Sequence, residues 1–191
     1  MRTVAGPVEV AGATTRDRAV ARSALIVRVD PAQAVVAALR ARYDPAARLG
    51  VPAHITVLFP FMPPRQIDAA VRRRIQAAVR SVPVFAYTLA QTGRFPDTLY
   101  LVPEPSAPFI ALTRALADEF VQYPPFGAAH DSIVPHLTVV HGDADAAALV
   151  QPELAGALER HGPISAICRE VELIQNSTGR WEWMRSFALA A

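Results

Sequence analysis

The sequence contains no lysine, only one cysteine, and no apolar run as long as the roughly 20 residues that a membrane helix needs. All 19 basic residues are therefore arginine, and with 17 acidic residues they give a formal net charge of +2. Arginine suits bidentate phosphate contacts, but so small a charge does not establish a nucleic-acid partner. Cys168 alone can form neither an internal disulfide nor a structural zinc site, and it is predicted to be a buried apolar residue.

Charged residues make up only 19% of the chain and hydrophobic residues 52%, a balance that excludes general disorder. Residues 1–22 carry Gly, Pro and Glu where a signal peptide would need an unbroken apolar stretch, so they are predicted to form a flexible arm. Residues 23–191 are predicted to form a single two-lobed domain. The expected location is the cytoplasm, and no membrane partner is expected.

A four-residue pattern occurs twice, as HITV at residues 54–57 and as HLTV at residues 136–139. In an extended strand successive side chains point to opposite faces. His54 therefore shares a face with Thr56, and His136 with Thr138, with roughly 7 Å between the members of each pair. Each pattern thus presents an imidazole and a hydroxyl side by side.

The surroundings of the two patterns also correspond. Each is followed by a helix, a strand, a glycine-containing turn and a last strand with an aromatic residue. The periodicity predicts strands near 23–29, 53–61, 83–91, 98–103, 136–141, 163–174 and 181–189, and helices near 31–43, 65–80, 107–121 and 143–161, the last one interrupted at Pro152.

This order predicts an α+β, bilobal, duplicated fold in which two antiparallel sheets line a central cleft and the helices lie outside. Each half is expected to form its own sheet, with His54 and His136 converging across the cleft. Phe59 is expected to point away from the cleft, into the helices, together with Ile55 and Val57. Strand parity likewise places His141 opposite to His136, unless the strand ends or bulges at Gly142.

Two imidazoles in one pocket suit an in-line displacement at phosphorus. With unperturbed pKa values near 6.5, one ring removes a proton from the attacking oxygen while the other protonates the leaving oxygen. Threonine hydroxyls donate to the nonbridging oxygens as charge builds there. The chemistry needs no metal and no cofactor. A metal site is the competing use of the same histidines, but the pattern offers no obvious third ligand.

The paired motifs around His54, Thr56, His136 and Thr138 resemble those of the 2H phosphoesterase superfamily, which includes 2′-5′ RNA ligase-like proteins and RNA 2′,3′-cyclic phosphodiesterases. The resemblance covers about residues 23–189. It implies that the two histidines are catalytic and that the two threonines bind phosphate. Where the second motif of the RNA-ligase-like branch often has an arginine, this chain has His141, which weakens the case for a long RNA substrate.

The motifs and the resemblance together predict a metal-independent phosphodiesterase that acts on a 2′,3′-cyclic phosphate or a 2′-5′ phosphodiester of a nucleotide or RNA end. A monomer is expected. One alternative is a noncatalytic nucleotide-binding or RNA-end-binding module with the same pocket. A second is a hydrolase of lipid or other small-molecule phosphodiesters.

Several aromatic and histidine side chains outside the motifs are candidates for contacts with a base. Tyr123, Phe126 and His130 lie in the loop before the second motif and are predicted to bind substrate, although loop packing accounts for them equally well. Trp181 and Trp183 are predicted to share one strand face with Phe187, where they serve either core packing or base stacking.

Overall fold

The computed structural model describes residues 21–128 and 132–191. Except for its last two residues, the predicted N-terminal arm lies outside the described residues, as does His130. The strands are β1 Ser23–Arg28, β2 His54–Phe61, β3 Phe85–Phe95, β4 Thr98–Glu104, β5 Leu137–His141, β6 Ile164–Cys168, β7 Glu170–Gln175 and β8 Glu182–Ala188. The helices are α1 Gln33–Tyr43, α2 Pro45–Arg48, α3 Ala69–Val79, α4 Ala107–Glu119 and α5 Ala144–His161.

The strands form two antiparallel sheets of four strands each. The first sheet has the order β2-β1-β7-β8 and the second has the order β5-β4-β3-β6. The main core packs both sheets against the helices, with Phe109, Phe120 and Phe187 among its largest fully buried side chains. The predicted fold class, α+β with two antiparallel sheets, is therefore confirmed.

The expectation that each half forms its own sheet is wrong. The strand predicted at 163–174 is interrupted at Arg169, so that β6 pairs with β3 in the second sheet and β7 pairs with β1 in the first. As a result β2 lies in one sheet with β7 and β8, which come from the other half of the chain. By position in the sheets, β1 corresponds to β4 and β2 to β5, so the repeated unit begins one strand before each histidine motif.

Helix α5 runs without a break through Pro152, contrary to the predicted interruption. Val150, Leu154 and Leu158 are buried along one side at helical spacing. Their packing on the core compensates for the backbone hydrogen bond that proline cannot make. Cys168 is 1% exposed within the main core, as predicted. Among the described residues, no helix has both the length and the apolar content needed to cross a bilayer.

Candidate active site

A cavity of about 660 Å³ lies between the two sheets. His54 and Thr56 of β2 line one side of it, and Thr138 of β5 lines the other, together with His136 immediately before that strand. Residues that are far apart in sequence thus meet in one space, because β2 and β5 are equivalent edge strands of facing sheets. The convergence expected from the repeat is present; the catalytic roles of the four residues remain a prediction.

Both histidine rings are held by the same backbone hydrogen bond. Nδ1 of His54 lies 2.8 Å from the carbonyl oxygen of Pro52, and Nδ1 of His136 lies 2.7 Å from that of Val134. A carbonyl oxygen only accepts, so each Nδ1 must carry the hydrogen. In the neutral ring this leaves Nε2 as the basic nitrogen. The same contact with the residue two positions earlier therefore fixes the same tautomer in both halves.

Each histidine strand carries a β-bulge at the same place. In β2 the register shifts between Thr56 and Leu58, which pair with consecutive residues of β1 and leave Val57 as the extra residue. In β5 the shift lies between Thr138 and Val140, leaving Val139 as the extra residue. An extra residue in one strand reverses the alternation of the side chains that follow it.

The bulges correct two expectations from strand parity. Val57 and Leu58 are both buried, and the next residue, Phe59, lines the cavity instead of packing into the helices. Two further valines, at positions 139 and 140, are likewise both buried, and the next residue, His141, also lines the cavity. The fifth residue after each motif histidine thus faces the site in both halves, as an apolar ring in one and as an imidazole in the other.

His141 is held by neighbouring side chains of the second sheet. Its Nδ1 lies 3.2 Å from the hydroxyl oxygen of Thr98, and this hydroxyl donates to a carboxylate oxygen of Asp97 at 3.0 Å. Because the hydroxyl has one hydrogen and gives it to the carboxylate, it accepts from Nδ1–H of His141. A third imidazole with the same tautomer therefore faces the cavity.

A buried ion pair lies behind His54. Arg40 and Asp44 are each 2% exposed and 2.7 Å apart. The guanidinium also donates to the carbonyl of Val51, next to the carbonyl that holds His54, and the carboxylate caps α2 by accepting from the backbone N–H of Ala46 at 2.9 Å. Burial and, secondly, the charge of Arg40 lower the pKa of His54 to about 4. His54 is therefore neutral near pH 7.

The surroundings of His136 are aromatic. The ring of Phe95 lies edge-on at 5.2 Å between centroids, and that of Tyr100 lies at 5.1 Å. Gly93, which the sequence marks as a turn residue, is instead inside β3 and opposite Tyr100. A Cβ there would lie 2.4 Å from the tyrosine ring. Glycine at this position therefore allows the ring that supports His136 to lie flat against the sheet.

The end of the cavity beside His54 is apolar. The rings of Phe59 and Trp181 are in edge contact at 5.9 Å and border a small cluster of Ala24, Ile26, Val51 and Ile174. This wall of side chains accommodates a flat apolar group.

The two tryptophans do not share a face with Phe187 as predicted. Trp181 lies just before β8, Trp183 is 62% exposed, and Phe187 is 1% exposed in the main core. The register of β7 and β8 shifts by one residue between Trp183 and Arg185, which reverses the alternation.

The loop before the second motif contributes less than predicted among its described residues. Tyr123 is half-buried, packs edge-on against Phe61 at 5.4 Å, and does not line the cavity. The side chain of Phe126 lies outside what the structure describes, as does His130. Ser132 and Val134 of this segment do line the cavity.

The described wall of the cavity carries no arginine. Its ionisable residues are Asp44, His54, Asp97, His136 and His141. Histidines are therefore the only residues of this described wall whose side chains can carry a positive charge. Within residues 21–128 and 132–191, no group of three or more His, Cys, Asp or Glu side chains is arranged to hold a metal ion.

The sequence and the fold were compared with those of known proteins. A protein-family sequence model, described as the 2′-5′ RNA ligase superfamily, matches residues 28–180, which include both histidine motifs. The chain belongs to this superfamily. The resemblance of the motifs to the 2H phosphoesterases is thereby confirmed, and membership supports an enzymatic role of the phosphodiesterase type. No curated protein matches the chain significantly in sequence.

Solved structures with the superfamily fold resemble this member over most of its length. Escherichia coli LigT complexed with 3′-AMP is 16% identical, with a TM-score of 0.56 over 89% of this chain and 98% of LigT. LigT complexed with NADP+ is 17% identical, with a TM-score of 0.54 over the same shares. TT0787 of Thermus thermophilus is 17% identical, with a TM-score of 0.56 over 87% of this chain and 97% of that one. At these identities the likeness shows the shared fold.

Proposed function

We propose that the protein is a metal-independent phosphodiesterase that opens a 2′,3′-cyclic phosphate or cleaves a 2′-5′ phosphodiester of a nucleotide or RNA end. The observation that carries the proposal is the pair of imidazoles, each next to a threonine hydroxyl, on facing walls of one cavity. The complexes of E. coli LigT with 3′-AMP and NADP+ support a nucleotide as the ligand class.

In this proposal His54 is the general base and His136 the general acid. A low pKa keeps His54 neutral near pH 7, the form that accepts a proton. Nε2 of His54 takes the proton of the attacking water, the water oxygen bonds to phosphorus, the bond to one ribose oxygen breaks, and Nε2–H of protonated His136 gives that oxygen its proton. The products are a phosphate monoester and a free ribose hydroxyl.

The side chains next to the histidines hold the phosphate. The hydroxyls of Thr56 and Thr138 donate to its nonbridging oxygens, and Nε2–H of the imidazolium form of His141 adds a third donor on the side of β5. The apolar wall of Phe59 and Trp181 receives the base. Because the described wall lacks arginine, the site suits the single negative charge of a phosphodiester.

Turnover with EDTA present tests the proposal. The purified protein is incubated with a 2′,3′-cyclic nucleotide, a short RNA ending in a cyclic phosphate, a 2′-5′ dinucleotide, and ADP-ribose cyclic phosphate. We expect at least one to be converted at a rate that EDTA does not change. Loss of turnover in EDTA would contradict the scheme.

Variants test the assigned residues in the same assay. His54→Gln and His136→Gln should each lower kcat by at least about 100-fold, because each removes a proton-transfer group. Thr56→Val and Thr138→Val should lower kcat/KM by about tenfold, the loss of one donor to a charged oxygen. His161→Gln, at the exposed end of α5, is the matched control and should keep wild-type rates. Wild-type rates in both motif-histidine variants would refute the assignment.

The second candidate function is a binding module that holds a nucleotide in the same cavity without converting it. Calorimetry would then show binding of a nucleoside phosphate, while long incubations gave no product. Loss of that binding in Thr56→Val and Thr138→Val would place the ligand in this cavity.

A further inference from the structure

A second cavity of about 370 Å³ adjoins the candidate active site. Val51, Ile174 and Trp181 line both cavities, so these residues lie at the boundary between them. The new part of the lining includes Arg28, Gln33, Glu172 and Trp183. None of these residues has a role in the proposed proton transfers.

The strand register places this second cavity on the same face of the first sheet as the motif residues. Thr56 is the cross-strand partner of Ile26, and Ile26 in turn is the partner of Glu172. Cross-strand partners point to the same side of a sheet. With neighbouring strands about 5 Å apart, Glu172 lies about 10 Å across the sheet from Thr56. A group attached to a phosphate at Thr56 can span that distance.

Trp183 is an exposed aromatic side chain with a fixed orientation. It is 62% exposed, yet its indole N–H donates to the hydroxyl of Ser186 at 3.2 Å, and that hydroxyl donates to a carboxylate oxygen of Glu170 at 2.9 Å. A ring that is already held in place loses little conformational entropy when a ligand stacks on it. Stacking of a base on such a ring is worth about 1–3 kcal/mol.

The charges around the second cavity favour a neutral group with hydrogen-bond donors. Glu172 is half-buried, and burial raises its pKa, with Arg28 acting in the opposite direction. Arg28 itself is bound to Asp30 at 2.6 Å. Together with Glu170, these carboxylates outnumber the guanidinium and disfavour a further phosphate. An exocyclic amine of a base, in contrast, can donate to Glu172.

We propose that the second cavity binds a second nucleoside, attached on the far side of the phosphate at which the histidines transfer protons. Its base stacks on Trp183, and an exocyclic amine of that base donates to Glu172. This inference rests on the proposed function and narrows its substrate class to phosphodiesters that join two nucleosides. The acidic side chains at the second cavity favour a dinucleoside monophosphate over a chain with further phosphates.

On such a substrate the attacking group is the neighbouring ribose hydroxyl. His54 removes its proton, its oxygen bonds to phosphorus, the bond to the 5′ oxygen of the second nucleoside breaks, and His136 protonates that oxygen. The products are a 2′,3′-cyclic nucleotide and a nucleoside with a free 5′ hydroxyl.

Substrate length and Trp183 variants test the inference. Wild-type kcat/KM should be higher for a dinucleoside monophosphate of adenosine, in 2′-5′ or 3′-5′ linkage, than for 2′,3′-cyclic AMP. A trinucleotide should give no higher kcat/KM than the dinucleoside monophosphate. Trp183→Ala should lower kcat/KM for the dinucleoside by at least about tenfold and leave that for 2′,3′-cyclic AMP unchanged. Trp183→Phe should retain most of the activity. Glu172→Gln should reduce the preference for adenine over uracil in the second nucleoside.

The outcomes separate this inference from the proposed function. Suppose that the wild type turns over 2′,3′-cyclic AMP, and that Trp183→Ala lowers kcat/KM equally for both substrates or for neither. This result would overturn the second subsite and leave the proposed phosphodiesterase activity intact. If nothing is turned over, the subsite is judged by calorimetry. The dinucleoside should then bind more tightly than its cyclic mononucleotide, and Trp183→Ala should abolish the difference. Equal affinities in the wild type would refute the subsite.

Discussion

His54 and His136 make the same hydrogen bond to the backbone but lie in different surroundings. His54 lies near a buried ion pair, while His136 is in contact with two aromatic rings. The repeated motif fixes which nitrogen of each ring is basic. In the first half, burial of the ring and, secondly, the charge of a buried arginine lower the pKa of His54. An acid and a base can thus arise from two copies of one motif.

The lowered pKa of His54 predicts the acid limb of the pH profile. Protonation of His54 removes the proposed base, so kcat/KM should fall on the acid side with an apparent pKa near 4, well below the 6.5 of a free imidazole. The measurement is kcat/KM between pH 3.5 and 8, with a buffer series of constant ionic strength. An acid limb near 6.5 or higher would contradict the assignment of His54 as the base.

The lowered pKa of His54 should also affect the pH dependence of folding stability. The pKa of His54 is near 6.5 in the unfolded chain and about 4 in the folded protein. Between these pH values the unfolded state binds more protons. The free energy of unfolding therefore falls as the pH drops through this window. The loss amounts to roughly 3 kcal/mol, since one pKa unit corresponds to about 1.4 kcal/mol. Urea unfolding of His54→Gln should show a flatter dependence than that of His161→Gln.

At the scale of elements, the bulge in β2 and β5 decides which side chains reach the cavity. Without the extra residue at Val57 and Val139, Phe59 and His141 would point into the core. The bulge therefore adds one more cavity-lining position to each motif, the fifth residue after the histidine. One half has an apolar ring at that position and the other has an imidazole. The two walls of the cavity therefore differ in chemistry, although their strands have the same bulged backbone conformation.

Exchanging the fifth position tests the role of His141. His141→Phe gives the second half the residue that the first half has at Phe59. We expect kcat/KM to fall by about tenfold through loss of a donor to the phosphate. The urea midpoint should change little, because the side chain is exposed. His141→Asn, which keeps a donor, should retain more activity than the phenylalanine variant. Unchanged kcat/KM in His141→Phe would show that the imidazole does not contact the substrate.

At the scale of the whole molecule, the exchange of strands makes the two halves interdependent. The fragment 1–104 retains the pairs β1 with β2 and β3 with β4, but these belong to different sheets. The fragment 105–191 retains only the pair of β7 with β8, because β5 pairs with β4 and β6 pairs with β3. Isolated two-stranded units are marginal in water.

We therefore expect neither fragment, 1–104 or 105–191, to fold alone. Circular dichroism and proton–nitrogen correlation spectra of each should show an unfolded chain, while coexpression should restore a folded complex and phosphodiesterase activity. Cooperative unfolding of either fragment by itself would contradict this expectation. If each half formed its own sheet, as the order of elements first indicates, the second fragment would be an independent domain.

The sequence by itself singled out the four motif residues and determined most of the elements, apart from the break at Arg169 and the continuous course of α5. Thr56 and Thr138 could be placed beside their histidines because the two-residue period of a strand is a local property. The order of helices and strands indicated an α+β fold for the same reason. Cys168 was identifiable as buried from its apolar surroundings.

Only the tertiary structure decided which side chains surround the two histidine motifs. The bulges depend on pairing with β1 and β4, and the strand exchange depends on the break at Arg169. The low pKa of His54 depends on the burial of its ring and, secondly, on the charge of Arg40 on α1. Each arises from contacts between segments distant in sequence, which no local period encodes. For the same reason the second cavity, with Trp183 at its edge, emerges only once the strands are paired.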